Sequence, residues 1–168
     1  LWDPTTRVPL IFAGPGITKG ARCGRPAELL DIYPTLAELC GLHSVPEEIE
    51  GLSLVPQLKD AKAPRSRPAI TSHGPGNDSA RSETHRYIRY ADGSEELYDM
   101  RKDPHEFKNL ASDSKTKKLR KKLAAYFPKN PVKPVEGSNA RLIERKKDGS
   151  VYWQNDLIEK DAKIPEYE

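Results

Sequence analysis

The chain is 168 residues long, 36% hydrophobic and 32% charged, enough for one domain with a modest core and a solvated tail. Its 28 Lys and Arg against 25 Asp and Glu leave a net charge of +3, too even to point to a nucleic-acid partner, and no apolar run approaches the ~18–20 residues of a helical membrane span. Two cysteines, Cys23 and Cys40, exclude a disulfide-dense scaffold and lack zinc-site spacing; buried free thiols are the ordinary reading, and a single bridge stays open.

The first element is the apolar run 8–14, VPLIFAG. Continuous rather than alternating apolarity predicts a strand buried on both faces. Such a strand needs a larger sheet than the rest of the sequence builds, an internal sign of a piece of a larger fold. GPGITKG (14–20) follows, but without the Gly-Lys-Ser/Thr of a phosphate loop it reads as turns. Residues 31–41 predict a helix with Asp31 as N-cap, Pro34 in the first turn and Gly41 as a left-handed stop. Ile32, Leu36, Leu39 and Cys40 share one face of it. Residues 50–58 predict a turn and a short helix. The basic, proline-containing stretch 61–68 reads as a linker and subdomain boundary.

Residues 69–72 predict a strand and 74–77 a turn. Two strand-like runs, 86–90 and 95–98, flank Asp92-Gly93, a hairpin signal whose two central residues call for positive φ. Ile88 and Tyr90 fall on one face of that hairpin, Tyr87 and Arg89 on the other. Residues 114–127 predict an amphipathic helix, striped by Leu119, Leu123, Tyr126 and Phe127, that can cover one face of the hairpin sheet. Past Pro134, segments 141–145 and 151–154 around Asp148-Gly149 predict a second hairpin. The charged end, 156–168, reads as poorly packed.

The opening LWDPTTRVPLIFAGPG, the 31–41 helix and the block RYIRYADGSEELYDMRKDPHEFKNLA (86–111) together carry a resemblance. The chain over 1–127 resembles the C-terminal portion of a sulfatase of the alkaline-phosphatase-like superfamily, near the iduronate-2-sulfatase-like branch. The resemblance implies an α+β fold: 1–60 as the last strand-and-helix part of a large α/β domain, and 67–127 as a subdomain of about four antiparallel strands against an amphipathic helix. Residues 128–168 then form a Pro-rich, charged tail. It implies a parent enzyme that hydrolyses sulfate esters, with a glycan as a candidate substrate. A sister phosphohydrolase or phosphonate hydrolase would share the fold.

In such sulfatases a cysteine in a C-x-P-S-R pattern matures to formylglycine, and a Ca²⁺ held by Asp and Asn or His side chains neutralises the sulfate. Cys23-Gly24-Arg25-Pro26 has the wrong order, Cys40-Gly41-Leu42 is further off, and no acidic cluster has ligand spacing. The resemblance therefore implies that nucleophile, metal ligands and a catalytic lysine lie upstream of Leu1. This chain is then expected to hold no cofactor and to be inert alone, its partner being a missing N-terminal catalytic domain. An orphan strand at 8–13 would also favour self-association. A periplasmic, secreted or lysosomal location follows from the same resemblance.

Related sequences carry a His-Gly-x-Gly-Asn stretch followed by an Arg. This makes His73, Asn77 and Arg81 the substrate-binding candidates, able to hold a sulfated sugar by charge-assisted hydrogen bonds. The plainer reading of 73–77 is a turn. Arg7 sits at the entry to a late strand and reads as structural. His43, His85 and His105 stand alone among polar residues and read as surface or capping groups. Glu95 and Glu96 are strand neighbours facing opposite ways, which rules out a simple acid/base pair. Asp103 and Asn109 read as turn and cap residues. Lys115, Lys117, Lys118, Arg120, Lys121 and Lys122 support one rival function, a non-enzymatic polyanion-binding module. The plainer alternative is a solvated helix face, and no aromatic residue interleaves within the run.

Overall fold

The computed structural model describes residues 1–42, 46, 48–130, 143–153 and 156–159. They divide into two compact units, Leu1–Pro131 and Val132–Glu168. In the first, β1 (Ala69–Ser72), β2 (Asp78–Arg81), β3 (His85–Arg89) and β4 (Glu95–Asp99) form an antiparallel meander in sequence order. This is the expected four-stranded sheet, with β2 as the strand the sequence did not single out.

Turn chemistry sets the strand lengths. Between β3 and β4, Tyr90 N–H donates to Ser94 O at 2.9 Å and Gly93 N–H to Tyr90 O at 3.0 Å, with Gly93 at φ +85°. Asp92 keeps a negative φ, so the turn is a type I turn with a glycine bulge instead of one with two left-handed residues. The cause is local: the Asp92 carboxylate accepts from the Ser94 N–H (2.8 Å) and hydroxyl (2.6 Å).

The register places Ile70, Ala80, Tyr87 and Leu97 on one sheet face. After a 3-10 turn at Ser114–Thr116, helix α4 of this chain's C-terminal half (Lys117–Ala124) covers that face with Leu119 and Leu123, followed by Phe127. Tyr87 and Phe127 stack with ring centroids 5.5 Å apart. Tyr126 departs from the predicted stripe and stays 40% exposed. At the β4 edge, Asn109 stands in for a fifth strand. Its Oδ1 accepts from Leu97 N–H (3.0 Å) and Ala111 N–H (2.8 Å), and its Nδ2 donates to Glu95 O (3.1 Å). That blunts an edge otherwise open to pairing.

Before the sheet lie α1 (Asp3–Thr6), α2 (Ile32–Leu39) and α3 (Val55–Lys59). Gly41, at φ +67°, ends α2 as predicted: Leu42 N–H reaches Ala37 O (2.9 Å) and Gly41 N–H reaches Glu38 O (3.1 Å). The start of α2 differs. Asp31 closes a 3-10 turn at Leu29–Asp31, and its carboxylate accepts from Glu28 N–H (2.7 Å) and Leu52 N–H (2.8 Å) instead of from first-turn amides. Thr35 accepts from Leu54 N–H at 2.8 Å. These bonds turn Thr35 and Ala37 inward; of the predicted face Ile32 and Leu39 are half-buried, while Leu36 and Cys40 are exposed. Cys23 and Cys40 are accordingly free and exposed, not buried.

Two further differences follow from hydrogen bonding. Residues 8–13 form no strand; Ile11 is 86% exposed. Strand backbone needs paired N–H and C=O groups, and among the described residues no strand lies alongside. The segment 61–68 falls inside the first unit and is tied down by charge. Arg65, its side chain buried, donates to Asp31 Oδ2 at 2.6 Å, and Arg67 donates to Glu28 at 2.8 Å and to Glu50 O at 2.5 Å. Glu28 in turn accepts from Ile70 N–H at 2.7 Å, joining this network to β1.

In the second unit β5 (Ile143–Arg145), β6 (Val151–Trp153) and β7 (Asp156–Ile158) form an antiparallel sheet. Its first turn repeats the β3–β4 solution, with Gly149 at φ +87° and Asp148 accepting from Ser150. The second hairpin is thus present over 143–153; Arg141 and Gln154 lie outside the described residues, and β7 takes part of the tail expected to be loose.

Gly51 has no room for a side chain, because a Cβ there would stand 2.0 Å from Leu30 O and 2.5 Å from Leu30 C. Gly51→Ala should cost about 2 kcal/mol by overpacking and lower the melting temperature by roughly 5 °C in a circular-dichroism melt. An unchanged melt would contradict this packing.

Candidate functional site

His73 and Asn77 flank the β1–β2 turn. Gly74 (φ +70°) and Gly76 (φ +80°) let the chain reverse in so few residues. His73 N–H donates to Asn77 O at 2.9 Å. The Asn77 side-chain oxygen accepts from Ala91 N–H at 3.1 Å, linking this loop to the β3–β4 turn. The two loops therefore stand side by side at one end of the sheet. His73 is exposed there, and Asn77 is half-buried with its carbonyl already used.

Arg81 is elsewhere. It pairs with Ala69, at the opposite end of the β1–β2 hairpin from the Ser72–Asp78 pair that precedes the turn. The separation is roughly 10 Å along the strands. The structure thus brings His73 and Asn77 together and sets Arg81 apart, on the sheet face away from α4. There it lies 3.6 Å from Asp3 and donates to Ser82 O. Burial, followed by the neighbouring Arg86 charge, pulls the Arg81 pKa below its usual value.

That second face is organised around Arg86, whose side chain is 3% exposed. It donates to Leu1 O (3.0 Å), Ser79 Oγ (3.1 Å) and Asp3 Oδ1 (2.7 Å). Its Nε also meets the equally buried Glu106 carboxylate at 2.6 Å, a charge contact not aligned as a hydrogen bond. Glu106 accepts from Asp3 N–H at 2.8 Å and holds a left-handed backbone, φ +59°. Nearby, Trp2 Nε1 donates to Glu96 at 2.6 Å and Tyr98 donates to the same carboxylate at 2.9 Å. Burial first, then Glu96, pushes the Tyr98 phenol well up and the Tyr90 phenol up to about 12, so both remain donors. Glu95, on the other face, takes Tyr87 and Arg120. The two adjacent glutamates do face opposite ways.

An open cleft of about 780 Å³ runs between residues 3–10, residues 23–30 and β1, with Arg7, Arg25, Arg81 and Arg86 on its walls. Arg25 is taken by Glu83 and Lys62 O, and Arg81 and Arg86 are taken as above. Arg7 is the exposed cation of this cleft, 3.9 Å from Asp3. Among the described residues no group of three His, Cys, Asp or Glu is placed to hold a metal ion. His85 sits beside Thr84 (2.8 Å), His105 against Phe107, and His43 lies outside the described residues.

Comparison with known proteins decides the family. The family described as N-sulphoglucosamine sulphohydrolase, C-terminal, matches residues 1–130. This chain belongs to that sulfatase C-terminal family. A sulfatase from Formosa agariphila is 38% identical over 155 residues, covering 90% of this chain and 30% of the relative. The Delta 4,5-hexuronate-2-O-sulfatase of Bacteroides thetaiotaomicron is 40% identical over 134 residues, covering 70% of this chain and 27% of the relative. A crystal structure of a Bacteroides thetaiotaomicron protein assigned to the sulfatases superposes with a TM-score of 0.60 at 38% identity, over 74% of this chain and 29% of that one. The sulfatase domain described here therefore spans about 30% of the length of the relatives it matches. No helix among its described residues is long and apolar enough to cross a membrane.

Two groups that organise this sulfatase domain escape sequence reasoning: the Arg86–Asp3–Glu106 cluster and the Arg65–Asp31–Glu28 network. Their cations and carboxylates lie 20 to more than 80 positions apart, and no local period marks them. The one available signal is a charged residue, Arg86, in a strand between positions destined for burial. Arg86→Met should leave Glu106 buried without its cation and cost about 3–5 kcal/mol, read as a lower urea midpoint. A midpoint equal to wild type would mean that Arg86 does not organise this face.

Proposed function

We propose that this chain is the C-terminal part of an enzyme that hydrolyses sulfate esters of an acidic glycan, and that it scaffolds the catalytic domain while shaping the sugar end of the cleft. The observation that carries the reading is the family match over residues 1–130, combined with a span of only about 30% of the matched sulfatases. One of those relatives acts on a 2-O-sulfated hexuronate, which favours an acidic sugar here.

The sulfatase resemblance implies a formylglycine and a Ca²⁺, which together supply a nucleophile and neutralise the sulfate when present. The described residues do not fit either group: Cys23 lacks the C-x-P-S-R order and no metal-ligand cluster is present among them. Both belong, in this reading, to an N-terminal catalytic domain of the same protein. The exposed stripe of Leu29, Leu30, Tyr33 and Leu36, with Val8 and Ile11 beyond it, is the surface suited to receive that domain. Left uncovered, so much apolar area favours self-association. Such an enzyme fits a periplasmic, secreted or lysosomal setting.

Within this chain the substrate-facing group is His73, an exposed imidazole on a rigid turn. Asn77 positions it through the bond to Ala91. Arg81, at the other end of the hairpin and engaged with Asp3, would meet an anion only along the cleft that also holds Arg7. In the longer protein, His73→Ala should raise KM for the sugar sulfate roughly tenfold with kcat little altered, the scale of one charge-assisted hydrogen bond. An unchanged KM removes His73 from the site. Asn77→Ala should act more weakly on KM and should speed amide exchange at Ala91; unaltered exchange would show that the loop does not depend on Asn77.

A further inference from the structure

We propose that the outer side of α4 and the groove beside it form a second binding surface, for an acidic polysaccharide chain, distinct from the loop at His73. This rests on the reading that the parent enzyme acts on an acidic glycan. Leu119 and Leu123 turn α4 inward, and Arg120 is taken by Glu95. Lys117, Lys118, Lys121 and Lys122 remain exposed, and among the described residues none of them forms an ion pair.

Lys117 with Lys121 and Lys118 with Lys122 are like charges one helical turn apart. Each pair is about 6 Å apart along the axis, inside the Debye length of ~8 Å at physiological salt. Such pairs weaken a helix, and among the described residues no carboxylate pairs with any of these four lysines. A polyanion laid along the helix offsets the repulsion.

The groove adds chemistry that a solvated charge run lacks. It is an open groove of about 330 Å³ lined by Leu119, Lys122, Leu123 and Tyr126, and by Arg65 and Arg67, which are paired with Asp31 and Glu28. Glu83 lines it too, but is paired with Arg25. Tyr126 is the residue of the apolar stripe that stays out of the core. An exposed aromatic face can take the C–H side of a pyranose ring, while the adjacent ammonium takes a sulfate or carboxylate. Single-stranded nucleic acid is held by a series of stacking aromatics, and the lysine run contains none. The combination therefore favours a charged sugar chain.

The test is a titration of the 168-residue chain with heparin, and in parallel with duplex DNA of matched charge, at low and at physiological salt. K118Q/K122Q should weaken heparin binding roughly tenfold and flatten its salt dependence. Tyr126→Ala should weaken it with the salt dependence unchanged. Heparin affinity unmoved by K118Q/K122Q and by Tyr126→Ala would overturn the proposal. So would DNA bound as tightly as heparin with Tyr126→Ala silent, which would mark a plain charged surface. Loss of heparin binding in the helix variants alongside an unchanged KM for His73→Ala would leave this surface standing and remove the His73 site; the reverse pattern would do the opposite.

Discussion

Arg86 is one guanidinium, buried on the sheet face that α4 does not cover, and it is shared by the carboxylates of Asp3 and Glu106 and the carbonyl of Leu1. A buried charge is tolerable only when paired and hydrogen-bonded. The positions of the first three residues and of residue 106 are therefore fixed jointly with β3. The same logic holds the stretch before β1: Asp31 and Glu28, both buried, take Arg65, Arg67 and the backbone of Ile70. The first unit thus has two unlike halves. An apolar core lies between the sheet and α4, and ion-pair networks attach residues 1–60 to the opposite side and to the sheet's edge.

This division explains which parts the sequence revealed. Elements built on local chemistry were legible: the Gly74–Asn77 reversal, the Asp-Gly hairpins, the Gly41 helix stop and the α4 stripe each depend on residues within a few positions. The α+β class with four antiparallel strands followed from those together with the family resemblance. Errors arose where distant polar groups decided the outcome. Asp31 has the residue type of an N-cap, but Leu52 N–H and Arg65 claim its carboxylate. The inward face of α2 is set by Thr35 bonding to Leu54, which an apolar period cannot encode. The run 8–13 is apolar enough for a buried strand, but no strand lies alongside it among the described residues and it forms none.

The candidate site was legible in the same partial way. His73 and Asn77 were visible because a glycine-flanked turn holds them, and the structure sets them side by side. Arg81 lay close in sequence, but strand β2 carries it to the other end of the hairpin. A strand separates residues that a loop would gather, and no spacing rule applied to 73–81 registers that. As a sulfatase C-terminal domain, the chain reads as a rigid mount: a loop presented at one end of a small sheet, an uncovered apolar stripe on α2, and charged clamps between them.

The Asp3–Arg86–Glu106 clip has a consequence in time as well as in space. It closes a loop of about 100 residues without a covalent bond, so unlike a cystine it leaves the unfolded ensemble unrestrained, and the closure entropy falls on the folding step itself. Contacts of such long range form slowly compared with hairpins and helices. The meander and α4, whose partners are near in sequence, carry no such closure cost, whereas docking the opening residues does. Glu106 meets the clip from a left-handed backbone, a conformation that costs a non-glycine residue about 1–2 kcal/mol, and the clip offsets that cost. The opening segment and residue 106 are accordingly held to the sheet through one arginine.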